Sequence, residues 1–454
     1  MAQAFFGGVH PHDMKAATNE KAIEQLAPPA VVVIPMSMHF GAPCTPLVKA
    51  GDHVKVGQKI GEFHGLGAPI HASVSGTVKA VEPRPYSMGG NITSVVIEND
   101  MQDEVSEEVQ APADPNALSV EEMVEIVKNA GIVGMGGATF PTHVKITSGI
   151  GKVNTVIING AECEPYITGD HRTMLERPEE IIGGAKFLAK MFGVDKVVIG
   201  VEDNKRNGID AMNKVIAEQK APVVVEPLRC RYPQGGEKQL CQAITGRQVP
   251  PGGLPADIGC AVFNINTTCA IYRALTTGMP VVRKIVTVSG SGVVEPKNLE
   301  CPIGTPVSSL LDACGGLKDG TYKLIAGGPM MGMAQYTADI SVAKGTGAIL
   351  AFCENEEKTV ENPQCIRCGK CVSVCPMHLE PLFMYQYASK GMVEELNDAH
   401  IMDCMECGAC AYACPARMHL THMFKTGKQL VKNKMAADRA AAEAKKAAEA
   451  KKEA

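Results

Sequence analysis

The chain has 454 residues, enough for three or four domains, and an apolar share of 45 % supplies ample core material. A net charge of −5 argues against nucleic acid as the main partner, and 4 % aromatics without tryptophan argue against base-stacking platforms. Residues 1–19 show no apolar core before a cleavage site, and the apolar run at 30–34 is far too short to span a bilayer, so any work at a membrane is expected to go through a partner.

Taken in chain order, residues 1–28 form an N-terminal arm. Residues 29–97 read as strands and turns, because 54–60 and 70–78 alternate in hydropathy between glycine-marked turns. This pair of patterns resembles the barrel-sandwich fold of biotinyl and lipoyl carriers. The carrier Met-Lys hairpin is absent, however, and Gly65-Leu66-Gly67-Ala68 stands in its place, so the barrel is expected to be structural. Residues 98–124 read as an acidic linker, since ten acidic side chains and no lysine or arginine lie between Glu98 and Glu125. Ser119 and Glu122 form a capping-box pattern for the helix that follows.

Residues 125–283 alternate helical pattern with short β-branched runs at 153–158, 196–200 and 221–225, and a helical stretch at 180–191, which predicts a Rossmann-like α/β layer with parallel strands. Within it, Gly131-Ile-Val-Gly134-Met-Gly136-Gly137-Ala138-Thr-Phe140-Pro141 lets backbone N–H groups approach a phosphate or a flat ring, although a structural turn explains such a run equally well. Asn159-Gly-Ala-Glu162-Cys-Glu164-Pro165 follows a buried run, where ligand-binding loops of α/β sheets belong. Tyr232-Pro-Gln-Gly235-Gly236-Glu237 and Asn264-Ile-Asn266-Thr267-Thr268 come later. A surface ion pair is the plain alternative for Lys145 and Glu162. Residues 284–350 return to short strands, as at 285–289 and 322–325, and suggest a β-grasp unit.

Residues 355–425 carry the most specific chemistry. Cys365, Cys368, Cys371 and Cys375 precede Pro376, and Cys404, Cys407, Cys410 and Cys414 precede Pro415 with the same spacing. Each is the bacterial ferredoxin-type run for a 4Fe-4S cluster, and the fourth cysteine of each serves the other cluster. The expected ligand sets are therefore Cys365, Cys368, Cys371 and Cys414 for one cluster, and Cys404, Cys407, Cys410 and Cys375 for the other. Zinc sites use CxxC pairs with longer gaps. A helical connection is expected at 382–396. The other nine cysteines are scattered, which points to a reducing cytoplasm, most of them packing as small hydrophobes. Residues 426–454 are an Ala/Lys/Glu-rich tail, of which 436–454 reads as semi-helical or disordered.

In their order, the four segments of the α/β layer resemble the flavin- and NADH-binding subunit of respiratory complex I. They are still more similar to the C subunits of Rnf ferredoxin:NAD+ oxidoreductases, whose start matches Phe6-Gly7-Gly8-Val9-His10-Pro11. The resemblance covers nearly everything except the tail. It implies four parts in order: a barrel-sandwich domain, a Rossmann-like flavin domain, a β-grasp (SLBB-type) domain and a helical two-cluster ferredoxin-like domain. It further implies FMN cradled by Gly134, Gly136, Gly137 and Lys145, with Asn159 and Glu162 nearby and Asn264, Asn266, Thr267 and Thr268 at its ribityl phosphate. Phe140, Glu164 and Glu237 would face NAD(H). Met135 replaces an arginine of the complex I pattern, and Gly235-Gly236-Glu237 replaces Gly-Glu-Glu, which removes two charged groups from the nucleotide side. The implied function is an NADH-linked oxidoreductase subunit, peripheral on the cytoplasmic face of the membrane. It would exchange hydride between NAD(H) and FMN and pass single electrons through two clusters to membrane-embedded and iron–sulfur partner subunits, and indirectly ferredoxin, with Na+ or H+ translocation. Two alternatives share parts of this pattern: a corrin reductase of microcompartments, and a non-enzymatic electron-wire adaptor in which only the clusters work.

Overall fold

The computed structural model describes residues 5–354 and 360–453, with side chains to residue 444. The arm supplies the first strand, β1 (Ile23–Gln25). Seven short strands follow: β2 (Val31–Pro35), β3 (Thr45–Pro46), β4 (His53–Val54), β5 (Lys59–Glu62), β6 (Ile70–His71), β7 (Gly76–Pro85) and β8 (Asn91–Asn99). They form two facing sheets, ordered β2-β8-β7-β4 and β3-β5-β6, with Val32, Ile34, Ile60, Ile70 and Ile97 between them. This is the expected barrel sandwich, but neither alternating run is one strand. Gly57 turns the chain at φ 84° between β4 and β5. Residues 72–75 are buried on both faces as the chain crosses from one sheet to the other, and Ser75 Oγ donates to Asp100 at 2.6 Å where no ladder is available.

The flavin-type domain comprises α1 (Val120–Asn129), α2 (Thr142–Gly149), β9 (Thr155–Gly160), α3 (Gly169–Glu176), α4 (Pro178–Phe192), β10 (Val197–Glu202), α5 (Arg206–Gln219), β11 (Val223–Leu228), α6 (Glu237–Thr245), β12 (Cys260–Asn264) and α7 (Ile265–Thr277). Ser119 and Glu122 form the reciprocal capping box of α1. The sheet is parallel with order β11-β10-β9-β12, so strand order reverses between β9 and β12. An open α/β sheet holds its ligands in the crevice at such a switch point. Asn159 and Asn264 are register partners there, at the carboxyl ends of the two strands.

Strands β13 (Arg283–Ser289), β14 (Lys297–Pro302), β15 (Thr321–Ala326), β16 (Met333–Gln335) and β17 (Ala348–Cys353), with α8 (Val307–Ala313), make the β-grasp-type unit. Its six-stranded sheet runs β1-β14-β13-β17-β15-β16, so the arm is structurally part of this unit, paired in parallel with β14. The cysteine module holds α9 (Lys370–Ser373), α10 (Pro381–Ser389), α11 (Val393–Asp398), α12 (Ala409–Ala413) and α13 (Leu420–Glu453). The expected single helix at 382–396 is broken at Gly391, which takes φ 66°. Helix α13 starts inside the cysteine module and continues into the Ala/Lys/Glu-rich stretch, with Leu420, Phe424 and Val431 buried in the module's core.

Helices α4 and α7 pack closely because α4 carries glycines at the crossing. A Cβ on Gly184 would stand 2.2 Å from the Thr268 carbonyl oxygen. Gly184→Ala must therefore push α7 away. It is expected to destabilise the chain by about 1–3 kcal/mol in denaturant unfolding, and an unchanged midpoint would contradict this packing.

Candidate functional site

The glycine loop lies between α1 and α2, folded back by a Gly134 N–H bond to the Phe140 carbonyl at 2.9 Å. Gly136 is a close-approach residue, since a Cβ there would lie 2.7 Å from Asn264 Nδ2. Gly137 faces open space, with nothing within 4 Å of where a Cβ would stand, and a Cβ on Gly134 would meet nothing nearer than 3.8 Å. Bare backbone bordering an open face is what a flat ring or phosphate requires. Met135 points into the core, 4 % exposed, while its N–H donates to Thr267 Oγ1 at 2.9 Å.

Asn264 caps α7, accepting from the Asn266 N–H at 2.9 Å and the Thr267 N–H at 3.4 Å. Thr268 is buried and donates to the Asn264 carbonyl at 3.0 Å. The amides of Asn264 and Asn266 both donate to Asp170, at 2.8 and 2.5 Å. Glu162 in turn accepts from the Asp170 and His171 N–H groups at the start of α3, at 2.6 and 3.3 Å. Asn159 Nδ2 donates to the Gly235 carbonyl at 2.9 Å. Thus four segments scattered over more than a hundred residues meet at the switch point: Asp170 ties Glu162 to Asn264 and Asn266, Asn159 reaches Gly235, and Thr267 holds Met135 of the glycine loop.

Lys145 does not pair with Glu162. Its Nζ lies 2.6 Å from Glu237 Oε1 and donates to the Val262 carbonyl at 3.0 Å. Glu162 is buried and stands 3.8 Å from Lys15 of the arm. Lys15 Nζ also donates to the carbonyls of Glu162 and Glu164 at 2.9 and 3.1 Å, and to that of Ile167. Burial pushes the Lys15 pKa down and that of Glu162 up to about 7, where Lys15 opposes the rise. Phe140 tilts against Phe40 of the barrel, ring centroids 6.0 Å apart. Glu164 turns toward the β-grasp unit, accepting from the Met330 N–H at 3.1 Å and lying 3.4 Å from the Tyr232 hydroxyl.

Asp170, Lys15 and Lys284 carried no local sequence signal. Lys284 is buried beside Asp170 and donates to the Met135 carbonyl at 3.1 Å, and desolvation holds its pKa down at about 8. Only the tertiary fold brings such isolated residues to the loop.

The cysteine module meets this domain edge to edge. Tyr232 is buried, and its hydroxyl donates to the Cys407 carbonyl at 2.7 Å. Cys375, Cys404, Cys407 and Cys410 line one cavity, closed by Pro376, Met384 and Phe424. These four thiols lie within electrostatic range of one another, whereas Cys371 lies within range of Cys365 and Cys414. Cys365 and Cys368 are exposed. Among the described residues no three ligand side chains are drawn in to a single-ion distance. A four-iron cubane holds its thiolates farther apart, so thiols facing a shared cavity suit it. Backbone N–H groups of Arg367, Leu379 and Glu406 donate to the sulfurs of Cys365, Cys375 and Cys404, each at 3.4 Å, as cluster sulfurs require.

Burial raises the Glu164 pKa from 4.5 to about 7. The folded state then holds a proton that the unfolded chain loses, so stability falls as pH rises between about 4.5 and about 7. Glu164→Gln lacks this titration. Relative to wild type, its unfolding midpoint is expected to rise from about pH 4.5 to about pH 7 and then level off; a constant offset would contradict the buried carboxyl.

Four family descriptions match in order: the RnfC barrel sandwich hybrid domain at residues 3–102, the Nuo51 FMN-binding domain at 127–273, the SLBB domain at 285–334 and the 4Fe-4S dicluster domain at 357–415. The C subunit of the Na(+)-translocating ferredoxin:NAD(+) oxidoreductase complex of Acetobacterium woodii is 45 % identical, over 88 % of this chain and 90 % of that one. The C subunit of the proton-translocating ferredoxin:NAD(+) oxidoreductase complex of Clostridium ljungdahlii is 43 % identical over 88 % of each chain. Its counterpart in the ion-translocating oxidoreductase complex of Rhodobacter capsulatus is 41 % identical over 83 % of this chain and 73 % of that one. A chain of a NAD+-reducing [NiFe]-hydrogenase aligns over 69 % of this chain and 63 % of that one at 18 % identity, with a TM-score of 0.49, too loose a likeness to carry an argument. With all four parts present and in order, the chain belongs to the family of C subunits of ion-translocating ferredoxin:NAD+ oxidoreductase (Rnf) complexes.

Proposed function

We propose that this chain is the NADH-linked electron-transfer subunit of a membrane-bound ferredoxin:NAD+ oxidoreductase, working with membrane-embedded and iron–sulfur subunits that translocate Na+ or H+. The observation that carries this reading is the meeting of the glycine loop, the α7 N-terminus and the Glu162–Glu164 loop at the switch point of a sheet whose edge touches Cys407 through Tyr232. FMN bound at the loop would interconvert a two-electron hydride and single electrons, and two 4Fe-4S clusters would carry those electrons onward.

The residues divide this work. Gly134 and Gly137 would leave bare backbone for a flavin to approach, and Gly136 lets the loop close against Asn264. Asn264, Asn266, Thr267 and Thr268 set the start of α7, whose helix dipole would favour a ribityl phosphate, while the Asn266 and Thr267 N–H groups are held by the Asn264 side chain. Asn159, Glu162 and Lys145 fix the adjoining loops, and Phe140, Glu164 and Glu237 border the nucleotide side. Cys365, Cys368, Cys371 and Cys414 hold one cluster; Cys404, Cys407, Cys410 and Cys375 hold the other. Hydride transfer asks for ring placement more than for a catalytic acid or base, so rigid loops should set the rate.

Among the described residues no helix is long and apolar enough to cross a membrane. From its membership of the family of complex C subunits, we place the chain on the cytoplasmic face, held there by its partner subunits.

Anoxic purification tests this reading directly. The expected result is about eight irons and one FMN per chain, with flavin absorbance bleached and cluster EPR signals appearing on NADH titration. Iron without NADH-reducible flavin would move the nucleotide site off this chain. The Lys145 and Glu237 side chains are 31 % and 39 % exposed, and the pair contributes about 0–1 kcal/mol to folding. Glu237→Ala should accordingly keep its FMN and fold while its KM for NADH rises; an unaltered KM removes Glu237 from the nucleotide contacts.

A further inference from the structure

The cysteine module is an internal repeat, 39 residues from one half to the other. Cys365 to Pro376 maps onto Cys404 to Pro415. Gly369 and Gly408 cap α9 and α12 with φ of 75° and 77°, and Arg367 and Glu406 take φ of 54° and 57°. The correspondence continues past the motifs, since α10 begins at Pro381 where α13 begins at Leu420. A repeat of this kind makes two near-equivalent thiolate cages. The halves differ in charge at several aligned positions: Arg367 corresponds to Glu406, Lys370 to Ala409, Glu380 to His419 and Ser389 to Lys428, and both Arg367 and Lys370 are exposed.

Lys428 Nζ donates to the Cys404 carbonyl at 2.5 Å and to Glu406 Oε1 at 2.7 Å. Its side chain is 14 % exposed and that of Glu406 27 %. The preceding residue explains how it gets so close. A Cβ on Gly427 would lie 2.7 Å from the Ile401 side chain and 3.2 Å from that of Ala388, so a bare residue lets α13 settle onto the module. Glycine in a helix interior costs about 1 kcal/mol relative to alanine, so close approach rather than helix propensity accounts for it. Ser389, in contrast, is exposed, and its hydroxyl bonds back to Gln386 in its own helix. Cys365 and Cys368, which correspond to Cys404 and Cys407, are exposed as well.

We propose that Lys428 is a positioning residue that raises the reduction potential of the cluster held by Cys375, Cys404, Cys407 and Cys410 and so sets it apart from its partner. This rests on the two-cluster reading above. Each cluster gains one negative charge when it accepts one electron. Burial alone disfavours that added charge, and the Cys404 cage is the more buried of the two. A cation fixed against a ligand's backbone, with little water between, offsets the penalty. Glu406 moderates the cation, so the two side chains act with opposite sign on one cage.

The test is an EPR-monitored redox titration of the full chain, purified anoxically, after iron and sulfide are counted. Lys428→Met should keep both clusters and lower one of the two midpoints. A tenfold shift in electron partition away from that cluster corresponds to about 59 mV for one electron. Lys428→Arg should restore the wild-type midpoint, Glu406→Gln should move the same midpoint upward, and the second midpoint should stay put throughout. If Lys428→Met loses iron, the sign of the Glu406→Gln shift decides, because that variant keeps the cation. Unmoved midpoints with both clusters present, or Lys428→Met and Glu406→Gln shifts of the same sign, would overturn the role of Lys428. Fewer than two clusters in the wild-type chain would instead overturn the two-cluster reading.

Discussion

The hydrogen bond from the Tyr232 hydroxyl to the Cys407 carbonyl is the constraint on which the rest of the molecule depends. It crosses the seam between the domain with the glycine loop and the module with the cysteines. Two cofactor sites can exchange electrons only if that seam is held. Tyr232 is 2 % exposed, so an unpaired hydroxyl there would cost about 1–3 kcal/mol. The N-terminal arm closes the same seam. The Gly8 N–H donates to the Val374 carbonyl, Val9 and Tyr232 exchange backbone bonds in both directions, and Phe6 stacks on His378. Gly7 has to be glycine: at φ 74° a Cβ would lie 2.8 Å from the Cys375 carbonyl oxygen. The Phe6–Pro11 motif is thus a wedge between cluster ligands and the flavin-type domain.

Farther along, the arm does a second job. The loop after β9 has no ladder to join, and its residues Glu162 and Tyr166 take φ of 43° and 68°. Buried carbonyls in such a loop must find donors. One ammonium, that of Lys15, serves three of them and faces the Glu162 carboxyl. The Lys205–Glu202 pair beside it is as deeply buried, at 3.0 Å, and Lys205 donates to the Ala161 carbonyl. Removing one member of such an assembly strands a charge, which is far more destabilising than the intact assembly is stabilising. The arm then ends as β1 in the β-grasp sheet, so a single stretch of about twenty residues touches three of the four parts.

The four-part architecture and the cysteine runs were legible because each rests on local pattern: period-two strands, alternating β and α segments, and fixed thiol spacing. The sequence also placed the Asn159 loop after a buried strand, whereas the strand that Asn264 ends, and with it the switch point, came only from the fold. What the sequence hid was long-range. Lys15, Asp170 and Lys284 are single charged residues in unremarkable surroundings, and nothing local marks Lys15 as a partner of residues some 150 positions away. The alternation at 70–78 misled for a related reason. It looked like one strand, yet that stretch is a corner buried from both sides. The Ala/Lys/Glu-rich composition likewise gives no sign that Val431 packs into the core of the cysteine module.

The central claim is that the cysteine module and the flavin-type domain behave as one body, joined through Tyr232 and the arm. Hydrogen exchange on the iron-loaded full chain measures this most directly, because amides joined by the seam should open together. The account predicts that the Gly8, Val9 and Tyr232 amides share one slow opening rate with the loop from Cys404 to Cys410. Fast exchange at Gly8 and Val9 while the β9 amides stay protected would show two loosely tethered bodies and contradict it.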